Sequence, residues 1–479
     1  MRGSIVILIL SLFLTHLNAQ ELELKEEYLE PITKTELRKH IEILASDSLE
    51  GRFTASEGQI KAAHYIKNQF SSLQLHPYND TTFYQSFNMW QWHWGKCAIS
   101  YGDTILVNNE DMVYQSYSPI EPAIEAKCVF IGNGTDSIVA QLNLEGKVAF
   151  AYINNLSRYY SINRLIRNKG AKALIIANPN NDEQFNRLIQ QVNSDNSQQK
   201  IFKDRPSFSA YSSKTFAVKA SFAELLFETS EDDLLYINDP KTLKKLPTPS
   251  ISLSCPIIIE PIETQNIVGY IKAKEPTEET IVVSAHYDHI GKKGKNIYNG
   301  ADDNASGTSA LITLAKAFQN IPEKLDRNIL FLATTGEELG LLGALHFAEQ
   351  QKQLPFEVKA NFNIDMIGRN DSIDKENYLY LIGASHYPLL DSICRVANQS
   401  DSLTLHKEYK RGYGSFINLS DHYAFHKQGI PILGFFSGLH TDYHQTSDTI
   451  DKIEFEAMQK RVELIFRTIF LACQTEILK

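Results

Sequence analysis

From about residue 246 onward, short and almost wholly apolar runs alternate with longer stretches in which apolar residues return every three or four positions. NIVGYIKA, TIVVSA, NILFLAT, ANFNIDM, YLYLIG and IPILGFF read as strands. SGTSALITLAKAFQ, LLGALHFAEQQ, PLLDSICRVAN and the C-terminal FEAMQKRVELIFRTIFLACQ read as helices. Near-continuous apolar strands between amphipathic helices require cover on both faces, so the pattern predicts an α/β sandwich. Two helices precede it. TKTELRKHIEILASDSLEGR offers Thr33 or Thr35 as cap and Leu37, Ile41 and Leu44 as one apolar face. EGQIKAAHYIKNQFSSLQL places Ile60, Ala63, Ile66 and Phe70 at helical spacing.

Between residues 82 and 245 the texture changes. CVFIG, KVAFAYI and KALIIANP alternate with polar loops, and RLIRNKGA supplies a helix between two of these strands. Residues 82–245 are therefore expected to form a β-rich insertion in a domain built from 20–81 and 246–479.

The first twenty residues, MRGSIVILILSLFLTHLNAQ, carry Arg2, an apolar run from Ile5 to Leu14, and Ala19 ahead of Gln20. That is the pattern of a secretory signal peptide over 1–19, with export to a periplasmic or extracellular space. The apolar run falls short of the ~20 residues of a membrane span. No later segment reads as one.

A length of 479 residues suits two domains, and 43% hydrophobic with 22% charged residues is a soluble globular composition. The formal net charge of −10 argues against a nucleic-acid partner, which calls for a basic surface. The five cysteines are scattered and odd in number, with no CxxC, so no thiolate zinc site of the usual spacing is present. A single disulfide is compatible with them.

The ends of the apolar strands hold the chemistry, because ligands of open α/β sheets sit at the strands' carboxyl ends. TIVVSA runs into His286, and NILFLAT into Thr335-Gly336-Glu337-Glu338. ANFNIDM contains Asp365, and IPILGFFSG leads to His440-Thr441-Asp442-Tyr443-His444. The polar loop after His286 adds Asp302 and Asp303. Histidine with carboxylates and no thiolate suits zinc or a similar divalent ion. Two adjacent glutamates repel in a buried site unless they divide the work, one holding a cation and the other taking a proton.

Taken in order, HYDHIG, NGADDNASG, TTGEELGLLG, NIDMIGR and DYHQTSDT resemble the motifs of metallopeptidase family 28, the co-catalytic zinc aminopeptidases and their glutamate carboxypeptidase-like relatives. The flanking SDSLEGRFTASEG and SDHYAFHKQGIPIL are similar too. The resemblance implies a zinc-exopeptidase-type α/β/α sandwich on a mixed, mostly parallel sheet. It implies two zinc ions, or other divalent metals in their place. His286 and Asp365 would hold one, Glu338 and His444 the other, with Asp303 bridging. Glu337 would be the general base acting on a metal-bridging water, and Tyr443 the donor to the oxyanion. Asp288 would fix the His286 tautomer, and Asp421 and His422 would border the substrate pocket. Three ligand carboxylates and a hydroxide would balance the four positive charges. KVAFAYI, RLIRNKGAKALIIANP and TFAVKASFAELLFE resemble a protease-associated domain, expected over 82–245.

Other residues are expected to be structural. Asp302 reads as a loop carboxylate, and Asn304, Ser306 and Gly307 as turn and cap. His289 is expected to point away, because alternation puts His286 and Asp288 on one side. His440 and His444 are four apart but lack the Glu of HExxH, and no GxSxG occurs. The expected activity is therefore aminopeptidase hydrolysis of peptides. A carboxypeptidase or dipeptidase on the same core is the alternative, and a non-catalytic receptor-like relative is more remote.

Overall fold

The computed structural model describes residues 24–154, 159–179, 182–195, 200–208, 214–371, 377–400, 403–409 and 416–475. The expected signal peptide lies outside the described residues. The chain divides into two compact units, Met1–Phe87 with Glu263–Lys479, and Asn88–Ile262. Sequence texture set the insertion at 82–245. Two long strands, Tyr84–Trp94 and Ile257–Ile271, run through both boundaries, and alternation within a strand carries no mark of a boundary.

The first unit is built on a mixed sheet. Its strands include β1 (Ile257–Ile271), β2 (Glu279–His286), β3 (Asn328–Thr334), β4 (Glu357–Ile364), β5 (Tyr378–Ile382), β6 (Thr404–His406) and β7 (Ile432–Phe436). They lie in the order β6-β5-β7-β4-β2-β3-β1. The central pairs β3–β2, β2–β4 and β4–β7 are parallel. β1 and β5 run antiparallel to their neighbours β3 and β7. The helices are α1 (Lys34–Leu44), α2 (Glu57–Ser72), α3 (Gly307–Gln319), α4 (Leu342–Gln350), α5 (Pro388–Ala397), α6 (His422–Lys427) and α7 (Phe455–Gln474).

Strand alternation decides which helices cover which face. Ile281, Val283, Ala285, Ile329, Phe331 and Ala333 pack into one core with α1, α2, α3, α5 and α7. Val282, Leu330 and Leu332 face a second core with Ala344 and Phe347 of α4 and Phe425 of α6. A fully buried Leu, Ile or Phe stabilises by about 1.5–3 kcal/mol, which is why these strands tolerate so few polar positions. Thr33 caps α1 by accepting from Glu36 N–H, and Ser56 caps α2 by accepting from Gln59 N–H. In α2, Ala63, Ile66 and Phe70 are buried as their spacing predicts, but Ile60 is 41% exposed. The helix is turned to bring Gln59 inward, where its amide bonds Tyr287 Oη and reaches Thr335 Oγ1 at 3.3 Å.

The second unit carries its own sheet. Parallel strands Ile120–Phe130, Val148–Tyr152, Ala173–Ala177 and Thr215–Val218 form its middle. Phe130, Phe150, Phe216 and Phe227 fill its core. Cys97 and Cys255 are joined by a disulfide across a sequence separation of 158 residues. The other three cysteines, Cys128, Cys394 and Cys473, are buried and lie outside this disulfide. Closing so long a loop constrains the unfolded chain and stabilises by about 2–5 kcal/mol. Reduction, or Cys97→Ser, should therefore lower the unfolding temperature of this unit, measured by calorimetry with and without reductant.

Candidate metal centre

Parallel pairing brings the carboxyl ends of β2, β3, β4 and β7 to one edge of the sheet. His286 ends β2 opposite Thr334, the last residue of β3. Glu337 and Glu338 follow β3 in the turn Thr335–Glu338. Asp365 directly follows β4, and Tyr443 and His444 follow β7. Asp303 arrives from the buried segment Ala301–Ser306 ahead of α3.

These residues meet. His286 Nε2 lies 3.4 Å from Asp303 Oδ1 and 3.4 Å from Asp365 Oδ1. His444 Nε2 lies 3.1 Å from Asp303 Oδ2 and 3.2 Å from Glu338 Oε2. Asp303 therefore turns one oxygen to each group, as a carboxylate shared by two cations would. Asp303 Oδ2, Glu338 Oε1 and His444 Nε2 are buried without a hydrogen-bond partner. Buried polar atoms are seldom left so, and imidazole with carboxylate is a donor set for zinc or a similar divalent ion. The residues thus fit a pair of metals.

The electrostatics point the same way. Burial would lower the His286 imidazole pKa, but Glu337, Asp365 and Asp303 outweigh it and raise it well above its ordinary value. Burial pushes the half-buried Glu337 carboxyl well up, with Glu338, Asp365 and Asp421 adding to the effect against His286. Glu338 goes the other way, because contacts with His289 and His444 overcome its burial. The adjacent glutamates are thus driven apart, one toward proton acceptance and one toward a permanent anion. The Tyr443 phenol is pushed up by burial and by Asp303 and Glu338, so it stays a donor.

Around the donors lies a layer of fixed partners. His286 Nδ1 is oriented by the Asp288 backbone carbonyl at 3.1 Å, whereas the Asp288 carboxylate is 3.9 Å away. That carboxylate instead accepts from Thr54 Oγ1 at 2.8 Å and from Glu337 N–H at 3.2 Å. Asp288 thus sets the His286 tautomer through its main chain and the Glu337 turn through its side chain. Ser420 Oγ donates to Asp365 Oδ2 at 2.7 Å and is itself held by Asn363 at 2.9 Å. Asp448 accepts from the backbone N–H groups of Asp302 and Asp303 at 3.1 Å. The Asp302 side chain faces elsewhere, accepting from Gly368 N–H at 2.6 Å and meeting His440 Nε2 at 3.2 Å.

His422 and Asp421 part company. His422 lines a cavity of about 360 Å³ together with Asp365, Tyr443 and His444. Burial draws its imidazole down to about 4, so it is neutral there. Asp421 is not among the cavity's lining residues. It is buried, bonded by Thr334 Oγ1 and pushed up to about 7 by burial.

His289 departs from expectation. It is fully buried, and its Nδ1 lies 2.8 Å from Glu338 Oε1 and 3.6 Å from Asp303 Oδ2. Strand alternation does not govern it because β2 ends at His286 and the chain turns beyond. Arg52, Thr54, Ser420 and Asp448 were also not singled out from the sequence. Their only signal was membership of the flanking stretches SDSLEGRFTASEG, SDHYAF and DYHQTSDT.

The chain is similar to several known proteins. The aminopeptidase YwaD of Bacillus subtilis (strain 168) is 35% identical over 228 residues, 44% of this chain and 46% of that protein. A probable leucine aminopeptidase of Arthroderma otae is 29% identical over 214 residues, 42% of this chain and 55% of the relative. The chain thus spans about half the length of these curated relatives. Among solved structures, an aminopeptidase from Aneurinibacillus sp. strain AM-1 shares the fold, with a TM-score of 0.50 and 20% identity over 92% of this chain and 94% of that one. Residues 266–469, which carry every metal-donor candidate, match the model of peptidase family M28.

Proposed function

We propose that this chain is an exported aminopeptidase that hydrolyses peptides with two zinc ions held at the ends of β2, β3, β4 and β7. The observation that carries the reading is Asp303, shared between two donor groups with the raised carboxyl of Glu337 beside them. Bound there, a pair of dications supplies Lewis acidity, polarising a peptide carbonyl and acidifying water. Glu337 takes the proton from the attacking water and returns it to the leaving amine. Its place in the turn is fixed by the Asp288 carboxylate at its backbone N–H. Tyr443, kept protonated by its surroundings, donates to the carbonyl oxygen as negative charge develops there.

The adjoining cavity supports a substrate class. Met366, Ile382, Phe416, Phe435, Phe436 and Leu439 give it an apolar wall, with Asp365 and His444 also among its lining residues. A large apolar side chain fills such a space, with the scissile bond at the donors. Among the described residues no Lys or Arg lines the cavity to hold a C-terminal carboxylate, and the related proteins are named aminopeptidases. Export is supported by the apolar N-terminal run and by the Cys97–Cys255 disulfide, a bond that persists in oxidising compartments. The unit Asn88–Ile262 is proposed as a protease-associated-like module.

Glu337→Gln should keep zinc content and fold while lowering kcat by about 10²–10⁴-fold, the usual share of a general base. Elemental analysis and steady-state kinetics on the same preparation test this, and wild-type turnover would remove the base assignment. A peptide panel tests the end-specificity. Free N-termini bearing Leu or Phe should be cleaved fastest, N-acetylated versions not at all, and C-terminal amidation should have little effect. A requirement for a free carboxylate would make the enzyme a carboxypeptidase.

A further inference from the structure

His289 is the one buried imidazole at this centre to which neither the proposed mechanism nor the family resemblance gives a task. Both of its ring nitrogens lack a hydrogen-bond partner, although Nδ1 is within ion-pair distance of two carboxylates. The contacts run from the 2.8 Å of a direct ion pair to the 3.6 Å of donors that could share one ion. Zinc–nitrogen and zinc–oxygen bonds of about 2.0–2.1 Å set neighbouring donors of a tetrahedron about 3.3–3.4 Å apart. His289 Nδ1 stands 2.8 Å from Glu338 Oε1 and 3.6 Å from Asp303 Oδ2. His444 Nε2 stands 3.1 Å from the same Asp303 Oδ2 and 3.2 Å from the other Glu338 oxygen, Oε2. The donor atoms of His289, Asp303 and Glu338 all fall within 4.8 Å of one another, as do those of His286, Asp303 and Asp365.

The imidazole is also seated. A Cβ at Gly300 (φ +56°) would stand 2.5 Å from His289 Cδ2 and 2.6 Å from Cγ, so the glycine leaves room for the ring. His289 N–H donates to the Arg52 carbonyl at 3.2 Å. The side chain of His289 is 0% exposed, whereas that of His444 is 35% exposed. Of the two histidines that approach Glu338, the buried one is the better fixed.

We propose that His289 is a ligand of the second metal position, beside Asp303, Glu338 and His444. The two positions are then unequal. The first has one imidazole and two carboxylates and keeps a place open for substrate. The second has two imidazoles and two carboxylates, a closed set of the kind that holds a structural ion tightly. The inference rests on reading the centre as a metal site, and it predicts that the second position fills first.

Stepwise zinc titration of the full-length, metal-stripped protein against a chromophoric chelator tests it. Wild type should show one tight and one weaker step. His289→Ala should weaken the tight step by more than the about 10–100-fold that loss of an outer-shell partner costs. His289→Cys loaded with Co²⁺ should show a thiolate-to-cobalt charge-transfer band in the near ultraviolet, which appears only if residue 289 touches the metal. Two zinc ions bound by His289→Ala as tightly as by wild type would overturn the proposal. So would cobalt bound to His289→Cys without the band, and this arm decides if the alanine variant fails to fold. A wild-type protein that binds no zinc would instead overturn the metal reading of the whole centre.

Discussion

The constraint on which the structure depends is an excess of buried carboxylate at the edge of one sheet. Asp288, Asp302, Asp303, Asp421 and Asp448 are all buried, and Glu337, Glu338 and Asp365 adjoin them. Like charges so close cannot all stay ionised without counter-charge. Some of the burden falls on main-chain dipoles. Asp448 takes the N–H groups of Asp302 and Asp303, Asp302 that of Gly368, and Asp288 that of Glu337. Asp421 is relieved differently, by a pKa pushed into the neutral range. What remains is concentrated on Asp303, Glu338 and Asp365, the carboxylates that face imidazole nitrogens, and bound cations would offset that negative charge.

Holding such a cluster requires a scaffold that cannot relax away from it. Parallel register does part of this, since β2, β3 and β4 must end together for His286, Glu337 and Asp365 to meet. The loop after β2 is held by Arg52, which is fully buried. It donates to the carbonyls of Tyr287 at 2.9 Å, Asn299 at 2.7 Å and Gly300 at 3.0 Å, and also to that of Leu44. One guanidinium thus ties both ends of the loop that separates His286 from Asp303 to the end of α1. Its five donors in a fixed fork are what the task needs, and a lysine could not reproduce them. The charge on Arg52 also lies within electrostatic reach of Asp303, Asp288 and Glu338.

Much of this was legible because periodicity and strand-end chemistry are local. NILFLAT forms β3 over the same residues, 328–334, and the C-terminal helix spans 455–474 as its pattern predicts. The convergence of His286, Glu337, Glu338, Asp365 and His444 follows from parallel strands alone. What stayed hidden depends on which way single side chains turn. Gln59 rather than Ile60 takes the inward place, where its amide meets Tyr287 and Thr335, contacts invisible along α2 itself. The Asp288 carboxylate and carbonyl exchange roles because the chain leaves strand geometry after His286. The same departure turns His289 inward, because it lies three residues beyond the end of the strand, where alternation no longer governs.

The neighbouring aspartates 302 and 303 show where local chemistry stops being decisive. Both are buried acids of one turn, and nothing in their side chains separates a bridge from a brace. Position relative to the surrounding imidazoles does. Asp302 meets His440, which reaches Arg369 Nη1 at 3.1 Å, and Arg369 pairs with Asp442 at 2.8 Å. Its histidine is thus committed to a network that runs away from the donors. Asp303 meets His286, His289 and His444, whose facing nitrogens point at carboxylates and at little else. The backbone of both is pinned by the single carboxylate of Asp448, so the pair cannot rotate to exchange places without breaking those bonds. A brace on one side and three imidazoles on the other make the choice for Asp303, and they make it through residues as distant in sequence as His440 and Asp448.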